Sequence, residues 1–240
     1  MPNNLLNQYV VTRIKSITKN LSAYTKDKKP EHLHRLRLEI KKINAVFSFA
    51  KNVYGESFNT NKIKPIFKKA GKIREIQINI HLLSLFQHPP KRLITQLKKK
   101  ENILTQQFIK HDLRYSKIIK TFQNNVSFPE ILPDKKIIIK YFEKQKANKK
   151  FKTKDREHVH RYRSKIKKLL FIYNALPNKI KKEIKLNELE IDKLQKMLGN
   201  WHDTYSAINF FSQEQFPMNT AEYILKLKAK EKRQFNALFI

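Results

Sequence analysis

The sequence predicts an all-α protein made of two pseudo-symmetric four-helix bundles that arose by internal duplication. Apolar residues recur with helical spacing along most of the 240 residues. Glycine is rare, with three residues, while lysine, leucine, isoleucine and glutamate are abundant. A twelve-residue segment, EHLHRLRLEIKK at 31–42, returns at 157–168 as EHVHRYRSKIKK with eight identical positions. We call these two segments the cassettes.

Prolines and a glycine divide the helical pattern, because proline starts helices readily and glycine ends them. The predicted helices span about 4–26, 30–52, 58–87, 90–124, 134–150, 155–176, 179–213 and 217–238. The segment FQNNVSFPEILPD at 122–134 is the predicted linker. Within a single domain, the first bundle is therefore expected to span about 1–126 and the second about 127–240.

Each cassette helix carries a narrow apolar seam whose residues step by three and four positions, as in a helix packed inside a bundle. The seams consist of Leu33, Leu36, Ile40, Ile43, Phe47 and Ala50, and of Val159, Tyr162, Ile166, Leu169, Tyr173 and Leu176. A basic stripe lies beside each seam, formed by His34, Arg37 and Lys41, and by His160, Arg163 and Lys167. A second basic stripe, further round each helix, holds Arg35 and Lys42, and Arg161 and Lys168. Such a helix is suited to line a groove.

The charge predicts a polyanionic partner. Lysine and arginine number 52 against 20 aspartates and glutamates, a formal net charge of +32. Self-repulsion at this density weakens the compact state, so we expect the excess to serve binding. The alternative is a lysine-rich solvated surface, which would not by itself keep the acids so few.

Other classes of protein are disfavoured by what the sequence lacks. Without cysteine there are no disulfides and no thiolate metal sites. The first residues lack the apolar run of a signal peptide, and no apolar run approaches the ~20 residues of a membrane span. We therefore expect a soluble cytoplasmic protein. No phosphate-binding or dinucleotide-binding glycine motif is present, and no cofactor is expected.

The histidine pairs of the cassettes do not predict a metal site. His32 and His34, like His158 and His160, are two positions apart, which on a helix separates them by about 200°. The three alternating carboxylates of ELEID at 188–192 also fall in a helical pattern and share no face. Because no acid–base pair stands out, the sequence predicts a binding protein and not an enzyme.

A second pair of similar segments, AGKIREIQINIHLL at 70–83 and LGNWHDTYSAINFF at 198–211, aligns Gly71 with Gly199 and Glu75 with Asp203. A glycine inside a helix costs about 1 kcal/mol relative to alanine. We expect the glycines to allow close helix packing that brings charges together. The two acids are expected to orient nearby cations, with ordinary pairing along one helix as the alternative.

Two motifs, each present twice in order, resemble those of the conserved histidine α-helical domain (CHAD) family. The motif H-x-x-R-x-x-x-[RK]-[RK] is matched by His34, Arg37, Lys41 and Lys42, and by His160, Arg163, Lys167 and Lys168. The motif G-x-x-R-[DE] is matched by Gly71, Arg74 and Glu75. The resemblance covers nearly the whole chain. It implies a duplicated pair of four-helix bundles that binds inorganic polyphosphate on a basic surface formed by both halves, without catalysis and in association with polyphosphate granules.

The resemblance assigns polyphosphate binding to the basic cassette residues and to the second motif. The implied contacts are His34, Arg35, Arg37, Lys41, Lys42, Arg74, His160, Arg161, Arg163, Lys167, Lys168 and His202. The chain departs from the family at five positions: Asn44 and Leu170 replace arginines, His202 replaces the second-motif arginine, and Gln77 and Tyr205 replace aspartates. The second half is therefore expected to bind more weakly, or to rely on the lysine-rich segment 140–154, and His202 to add sensitivity to pH.

Nucleic acid, and RNA in particular, is the alternative partner and is expected to compete more weakly than polyphosphate. No recognition-helix motif is present, and the aromatic residues fall mostly on seam positions, so a stacking platform is not indicated. Reversing the charges of Arg37 and Arg163 is expected to weaken polyphosphate binding far more than reversing those of Lys149 and Lys150.

Overall fold

A computed structural model of the chain describes residues 5–129, 131–146, 155–213 and 220–239. Over these ranges the chain forms ten α-helices, two short 3₁₀ helices and no strand, which confirms the predicted all-α class. The α-helices are α1 (Leu5–Asp27), α2 (Pro30–Tyr54), α3 (Lys64–Ser84), α4 (Lys91–Ile109), α5 (Asp112–Asn124), α6 (Lys135–Lys146), α7 (Arg156–Ala175), α8 (Asn178–Ile184), α9 (Glu188–Gln213) and α10 (Ala221–Asn236). The 3₁₀ helices span Asn61–Ile63 and Ala237–Phe239.

Proline and glycine mark the ends of α2 as predicted. Pro30 is its first residue, where the missing amide hydrogen costs nothing. Gly55 follows its last residue with φ of 76°, in the left-handed region that glycine enters without strain. The linker expected at 122–134 begins too early, because α5 continues to Asn124. Its other described residues, 125–129 and 131–134, contain no helix.

The single helix predicted at 90–124 is wrong, because the chain breaks between α4 and α5. The amide of His111 donates to the Phe108 carbonyl at 3.1 Å, three residues back, and tightens the turn there. The helix then restarts with the amide of Tyr115 donating to the His111 carbonyl at 2.9 Å. Neither proline nor glycine marks this break, so the rule used for the prediction could not find it.

The single helix predicted at 179–213 is also wrong. Lys185 adopts φ 48° and ψ 51°, a left-handed conformation that ends α8. The Asn187 side chain then accepts a hydrogen bond from the Glu190 amide at 3.2 Å, as a capping residue does at a helix start. Ile184 and Leu186 on either side of Lys185 are buried, so their packing offsets the strained backbone.

Both predicted seams are confirmed as buried surfaces. In the first seam every residue is at most 2% exposed, and in the second, which runs one residue past α7, every residue is at most 7% exposed. At about 25 cal/mol per Å² of apolar surface, such burial is the main force that holds the helices in the core. The basic stripes lie on other faces of the same helices, beside the buried seams.

The chain divides into two compact units, each assembled from several segments. Unit 1 consists of Met1–Arg74, Leu104–Lys150 and Lys167–Leu186. Within it, α1 packs on α2 and α5, and α6 packs on α2 and α8. The Tyr24 hydroxyl shares a buried hydrogen bond of 3.0 Å with Thr105, and a cluster of phenylalanines encloses Phe47.

Unit 2 consists of Glu75–Ile103, Phe151–Ile166 and Asn187–Ile240. Its core is organised by α9 packing on α10. Trp201 is fully buried and donates its indole N–H to Glu231 at 2.7 Å, and Glu231 also accepts two bonds of 2.9 Å from Arg156. The Arg156 guanidinium lies over the Phe235 ring, 4.9 Å from its centroid.

Each unit draws on segments from both sides of residue 126, where the two predicted bundles meet. The internal duplication and its boundary stay predictions. Lys149, Lys150 and most of the lysine-rich segment 140–154 lie outside the described residues. Within the described ranges, no helix is both long and apolar enough to cross a membrane.

Candidate anion-binding clusters

Four basic residues surround His34 in unit 1, and we call the five together the first cluster: His34, Arg37, Lys41, Arg74 and Lys167. Partial desolvation of the His34 imidazole lowers its pKa, and the positive charges of Arg74, Lys167, Lys41 and Arg37 lower it further, in that order. Because these charges come from α2, α3 and α7, three helices contribute to one cationic surface. An anion bound there would relieve the repulsion among them.

Arg37 is held in place by α3. Its Nη1 donates to the Phe67 carbonyl, and its guanidinium lies over the Phe67 ring, 4.1 Å from the centroid. Lys41 lies above the same ring at 5.9 Å. A Cβ atom added to Gly71 would collide with the Arg37 guanidinium. Gly71 therefore allows the close approach that was predicted, because the absent side chain leaves room for the Arg37 guanidinium.

At Gly199 the same expectation is wrong, because an added Cβ atom would meet no described heavy atom within 4 Å. The aligned glycines are therefore not equivalent in their surroundings. Arg163, which aligns with Arg37, is not packed against Gly199, so unit 2 has no counterpart of the Arg37–Gly71 contact.

The difference between the two glycines predicts opposite responses to alanine. Gly199→Ala is expected to stabilise the protein by about 0.5–1 kcal/mol, because glycine inside a helix is costly and the space is open. Gly71→Ala is expected to be less stable than Gly199→Ala by about 1–2 kcal/mol, because Arg37 must leave the Phe67 carbonyl. Urea unfolding of both variants checks this, and equal stabilities would contradict the contact between Arg37 and Gly71.

A second group of polar residues lies in unit 2, and we call it the second cluster: His160, Arg161, Arg163, His202 and Asp203. The imidazole rings of His160 and His202 are stacked, with centroids 4.8 Å apart and planes inclined by 21°. His202 Nδ1 lies 3.5 Å from an Asp203 carboxylate oxygen and 3.5 Å from the Ser206 hydroxyl. Partial desolvation lowers the pKa of His160, and the charges of His202 and Arg163 add to this effect.

Arg163 and Asp203 act on each other across α7 and α9. Desolvation lowers the pKa of Arg163, and the negative charge of Asp203 opposes that change. The charge of Asp203 therefore acts on Arg163, while its role in orienting cations stays a prediction. Glu75, its counterpart by alignment, is exposed and makes no ion pair with another described residue. Its orienting role stays a prediction.

Four of the predicted contacts are exposed or already paired with an acid. Arg35 is exposed and Lys168 is exposed. Lys42 binds the buried Glu39 at 2.8 Å, and Glu39 also pairs with Arg13 of α1 at 3.1 Å. Arg161 pairs with Glu157 at 3.3 Å on the surface of α7. Lys42 and Arg161 are therefore already paired with carboxylates. For Lys168, burial is the cause that lowers the pKa.

Two departures from the family motif contact other residues of unit 2. Gln77 is 7% exposed and donates its amide to Glu101 at 2.8 Å. Tyr205 stacks on Trp201, with centroids 5.5 Å apart and planes inclined by 17°. These side chains join the packing of unit 2, where an unpaired aspartate would be costly to bury.

Two further departures belong to unit 1, and the fifth, His202, belongs to the second cluster. Asn44 accepts a hydrogen bond of 2.6 Å from the hydroxyl of Thr60, which precedes the first 3₁₀ helix. Leu170 is 7% exposed and belongs to the core. Neither position carries the arginine that the resemblance implies.

The first histidine of each cassette is tied to the start of its helix. His32 Nε2 lies 3.1 Å from the Asp27 carboxylate, and the His158 amide donates to Asp155 at 2.9 Å. Neither histidine joins the clusters. Among the described residues, no three histidine, aspartate or glutamate side chains are placed to hold a metal ion.

Sequence reasoning missed two features of the clusters. It assigned Lys167 to the second cassette stripe with His160, whereas the charge of Lys167 acts on His34 in unit 1. It also gave no role to Phe67, the platform for Arg37. The one available signal was the spacing of Phe67 four residues before Gly71, which places both on one face of α3.

Comparisons with known proteins agree with this architecture. The family model of the CHAD domain matches residues 8–212. The fold is similar to the crystal structure of the CHAD domain from the plant Ricinus communis, with a TM-score of 0.68, 15% identity, and coverage of 99% of this chain and 91% of that chain. It is also similar to PptA from Streptomyces chartreusis, with a TM-score of 0.58, 10% identity, and coverage of 99% and 96%.

At these identities the two structures establish likeness of fold alone. No curated protein sequence matches the chain significantly. The family model, in contrast, covers most of the chain, including both cassettes and both glycine segments. The chain therefore belongs to the CHAD domain family.

Proposed function

We propose that the protein binds inorganic polyphosphate, without catalysing a reaction on it, through the first and second clusters. The observation that carries the proposal is the convergence of four positive charges on His34 from three helices. Several cations held close together repel one another and favour a ligand that carries many negative charges at short intervals. A polyphosphate chain has one charge on each phosphate and meets this requirement.

Preorganisation of the arginines supports the proposal. Arg37 is fixed by Phe67 and Gly71, so little side-chain entropy is lost when it meets a phosphate oxygen. Its guanidinium can donate to two oxygens at once, which lysine cannot do. We assign Arg37, Arg74 and Arg163 to direct phosphate contacts, with Lys41 and Lys167 supplying further charge.

The remaining predicted contacts take supporting roles in the proposal. Arg35 and Lys168 are exposed and would meet phosphates that extend beyond the clusters. Lys42 and Arg161 would contribute less, because Glu39 and Glu157 neutralise them. Asp203 would keep Arg163 charged and oriented.

Affinity is expected to depend steeply on chain length. Long polyphosphate should bind at least about 100-fold more tightly than triphosphate, because one chain engages several cations simultaneously. Raising the salt concentration from about 50 to 200 mM should weaken binding by at least tenfold through counterion release. Titration by electrophoretic mobility with chains of several lengths checks both results. Equal and weak binding of short and long phosphates would overturn the proposal.

Two further measurements separate this function from its alternatives. Long polyphosphate is expected to displace bound RNA at a much lower phosphate concentration than RNA requires to displace polyphosphate, and the opposite order would favour an RNA-binding protein. Incubation with polyphosphate and Mg²⁺ or Mn²⁺ is expected to release no orthophosphate. Release that is abolished by mutating one acid would establish an enzyme. Association with polyphosphate granules follows from the same proposal and is checked by fluorescence imaging in cells.

A further inference from the structure

The stacked histidines of the second cluster are the feature that polyphosphate binding by itself does not explain. Their ring centroids are 4.8 Å apart and the rings are nearly parallel. In that geometry two protonated rings repel each other strongly, whereas a neutral ring stacks favourably on a neutral or a charged one. The free pair therefore resists taking up its second proton.

The groups around the pair set its response to an anion. On α7 the pair faces Arg163, Arg161 and Glu157, and on α9 it faces Asp203. The net effect of desolvation and of the neighbouring positive charges is a lowered pKa for His160. One carboxylate, Asp203, lies beside His202 Nδ1 at 3.5 Å.

The helix packed behind α9 does not supply a further free acid. Glu231 of α10 is already bound by Arg156 and by the indole of Trp201. The centroid of the Trp201 ring lies 6.5 Å from that of the His202 ring. An incoming anion would thus be the charge best able to stabilise a doubly protonated pair.

We propose that the His160–His202 pair is a proton-linked phosphate subsite, which takes up protons as it binds phosphate oxygens and so tightens polyphosphate binding on acidification. The inference rests on the proposed function and adds its regulation by pH. Protonated imidazole offers N–H donors to phosphate, while the negative charge of the chain removes the repulsion between the rings. By linkage, a ligand that raises the proton occupancy of a site must bind more tightly as pH falls.

The first cluster provides the contrast within the same chain. Arg74 aligns with His202 and is charged at every accessible pH, so the first cluster has one titratable ring where the second has two. Replacing His202 by arginine would give the second cluster the same permanent charge. Such a variant should bind polyphosphate at neutral pH through a permanent charge at this position.

The test measures proton uptake by calorimetric titration at about pH 6.5 in two buffers of different ionisation enthalpy. Long polyphosphate is the ligand, because its inner phosphates keep a constant charge in this range. The wild-type protein is expected to take up about one proton more than His160→Gln/His202→Gln, and to gain about five- to tenfold more affinity between about pH 7.5 and pH 6.0. The matched control is His81→Gln, a change at an exposed histidine of α3 in the same unit, which should behave as wild type.

His202→Arg provides a second and independent readout. It is expected to bind at least as tightly as wild type at about pH 7.5 and to show a smaller gain on acidification. A merely structural role for the stacked rings would instead weaken binding at every pH. If the double glutamine variant does not fold, as judged by thermal unfolding, His202→Arg alone decides.

The outcomes distinguish the two proposals. If polyphosphate binds but proton uptake is the same in wild type and in the histidine variants, the subsite is overturned and the proposed function stands. If polyphosphate fails to bind at any pH and low salt, the proposed function fails and the subsite with it.

Discussion

Reversal of Arg37 and Arg163 together to glutamate is expected to weaken binding of long polyphosphate by about 100-fold or more at low salt. A hydrogen bond to a charged group contributes about 1.5–3 kcal/mol, and each reversal also introduces repulsion. The Arg37 guanidinium lies over the Phe67 ring, and the negative charge of Asp203 acts on Arg163. The double reversal therefore removes arginine–phosphate contacts from both clusters. The remaining lysines cannot replace these contacts. Titration by electrophoretic mobility or fluorescence anisotropy checks the result.

A matched control separates directed contacts from total charge. Lys120→Glu/Lys228→Glu changes the net charge by the same amount, at one exposed lysine in each unit. This variant is expected to lose less than about fivefold in affinity, through the general field alone. Equal losses in the two double variants would mean a diffuse basic surface and no defined clusters.

Arg37 also contributes to the fold through Phe67, so the reversed variant requires a check of stability. Far-UV circular dichroism and thermal unfolding provide it. If Arg37→Glu lowers the stability severely, Lys41→Glu replaces it, because Lys41 belongs to the same cluster and lies further from the Phe67 ring, at 5.9 Å. A weakening of binding in a variant with wild-type stability would assign the effect to phosphate contact.

Removal of the Glu231 carboxylate is expected to cause the largest loss of stability. Glu231→Ala should destabilise the protein by about 3–5 kcal/mol, because the carboxylate is 4% exposed and leaves both Arg156 and the Trp201 indole without their acceptor. Glu222→Ala on the same helix is the control. Glu222 is exposed, and its partner among the described residues is Lys226, so the change should cost less than about 0.5 kcal/mol. Urea unfolding of the three proteins measures the differences.

The pH dependence of stability gives a second test of the same carboxylate. Burial raises the pKa of Glu231, but the hydrogen bonds from Arg156 and Trp201 outweigh it, and the net result is a lowered pKa. A lowered folded-state pKa contributes stability above the ordinary value of 4.5, which is lost as pH falls through the folded-state value. Glu231→Ala should therefore flatten the stability profile below about pH 4.5. If Glu231→Ala loses no more stability than Glu222→Ala, the hydrogen bonds of Glu231 to Arg156 and Trp201 do not organise unit 2.

Several properties of this chain follow from local sequence. The three- and four-residue steps of apolar residues predicted α2 and α7 and their buried seams, because helical periodicity is a property of neighbours in the chain. Pro30 and Gly55 predicted the ends of α2 through the backbone angles they favour. The cassettes and the glycine segments, with their order, were sufficient to identify the CHAD domain family.

Neither His111 nor Lys185 is a strong helix breaker, so local sequence did not predict the two breaks. At Lys185 the left-handed angles are offset by the burial of Ile184 and Leu186. Local preference is worth tenths of a kcal/mol per residue for such side chains, whereas burying a large apolar side chain is worth about 1.5–3 kcal/mol. The core therefore decides where such helices end.

The composition of each cluster was likewise decided by the tertiary structure. The sequence named the histidines, arginines and lysines, since their helical spacing puts them in stripes. It could not say that the charge of Lys167 acts on His34, that Arg37 rests on Phe67 beside Gly71, or that His160 stacks on His202. These contacts join residues on different helices, and their geometry depends on how each helix is rotated and placed, which periodicity along one helix does not determine.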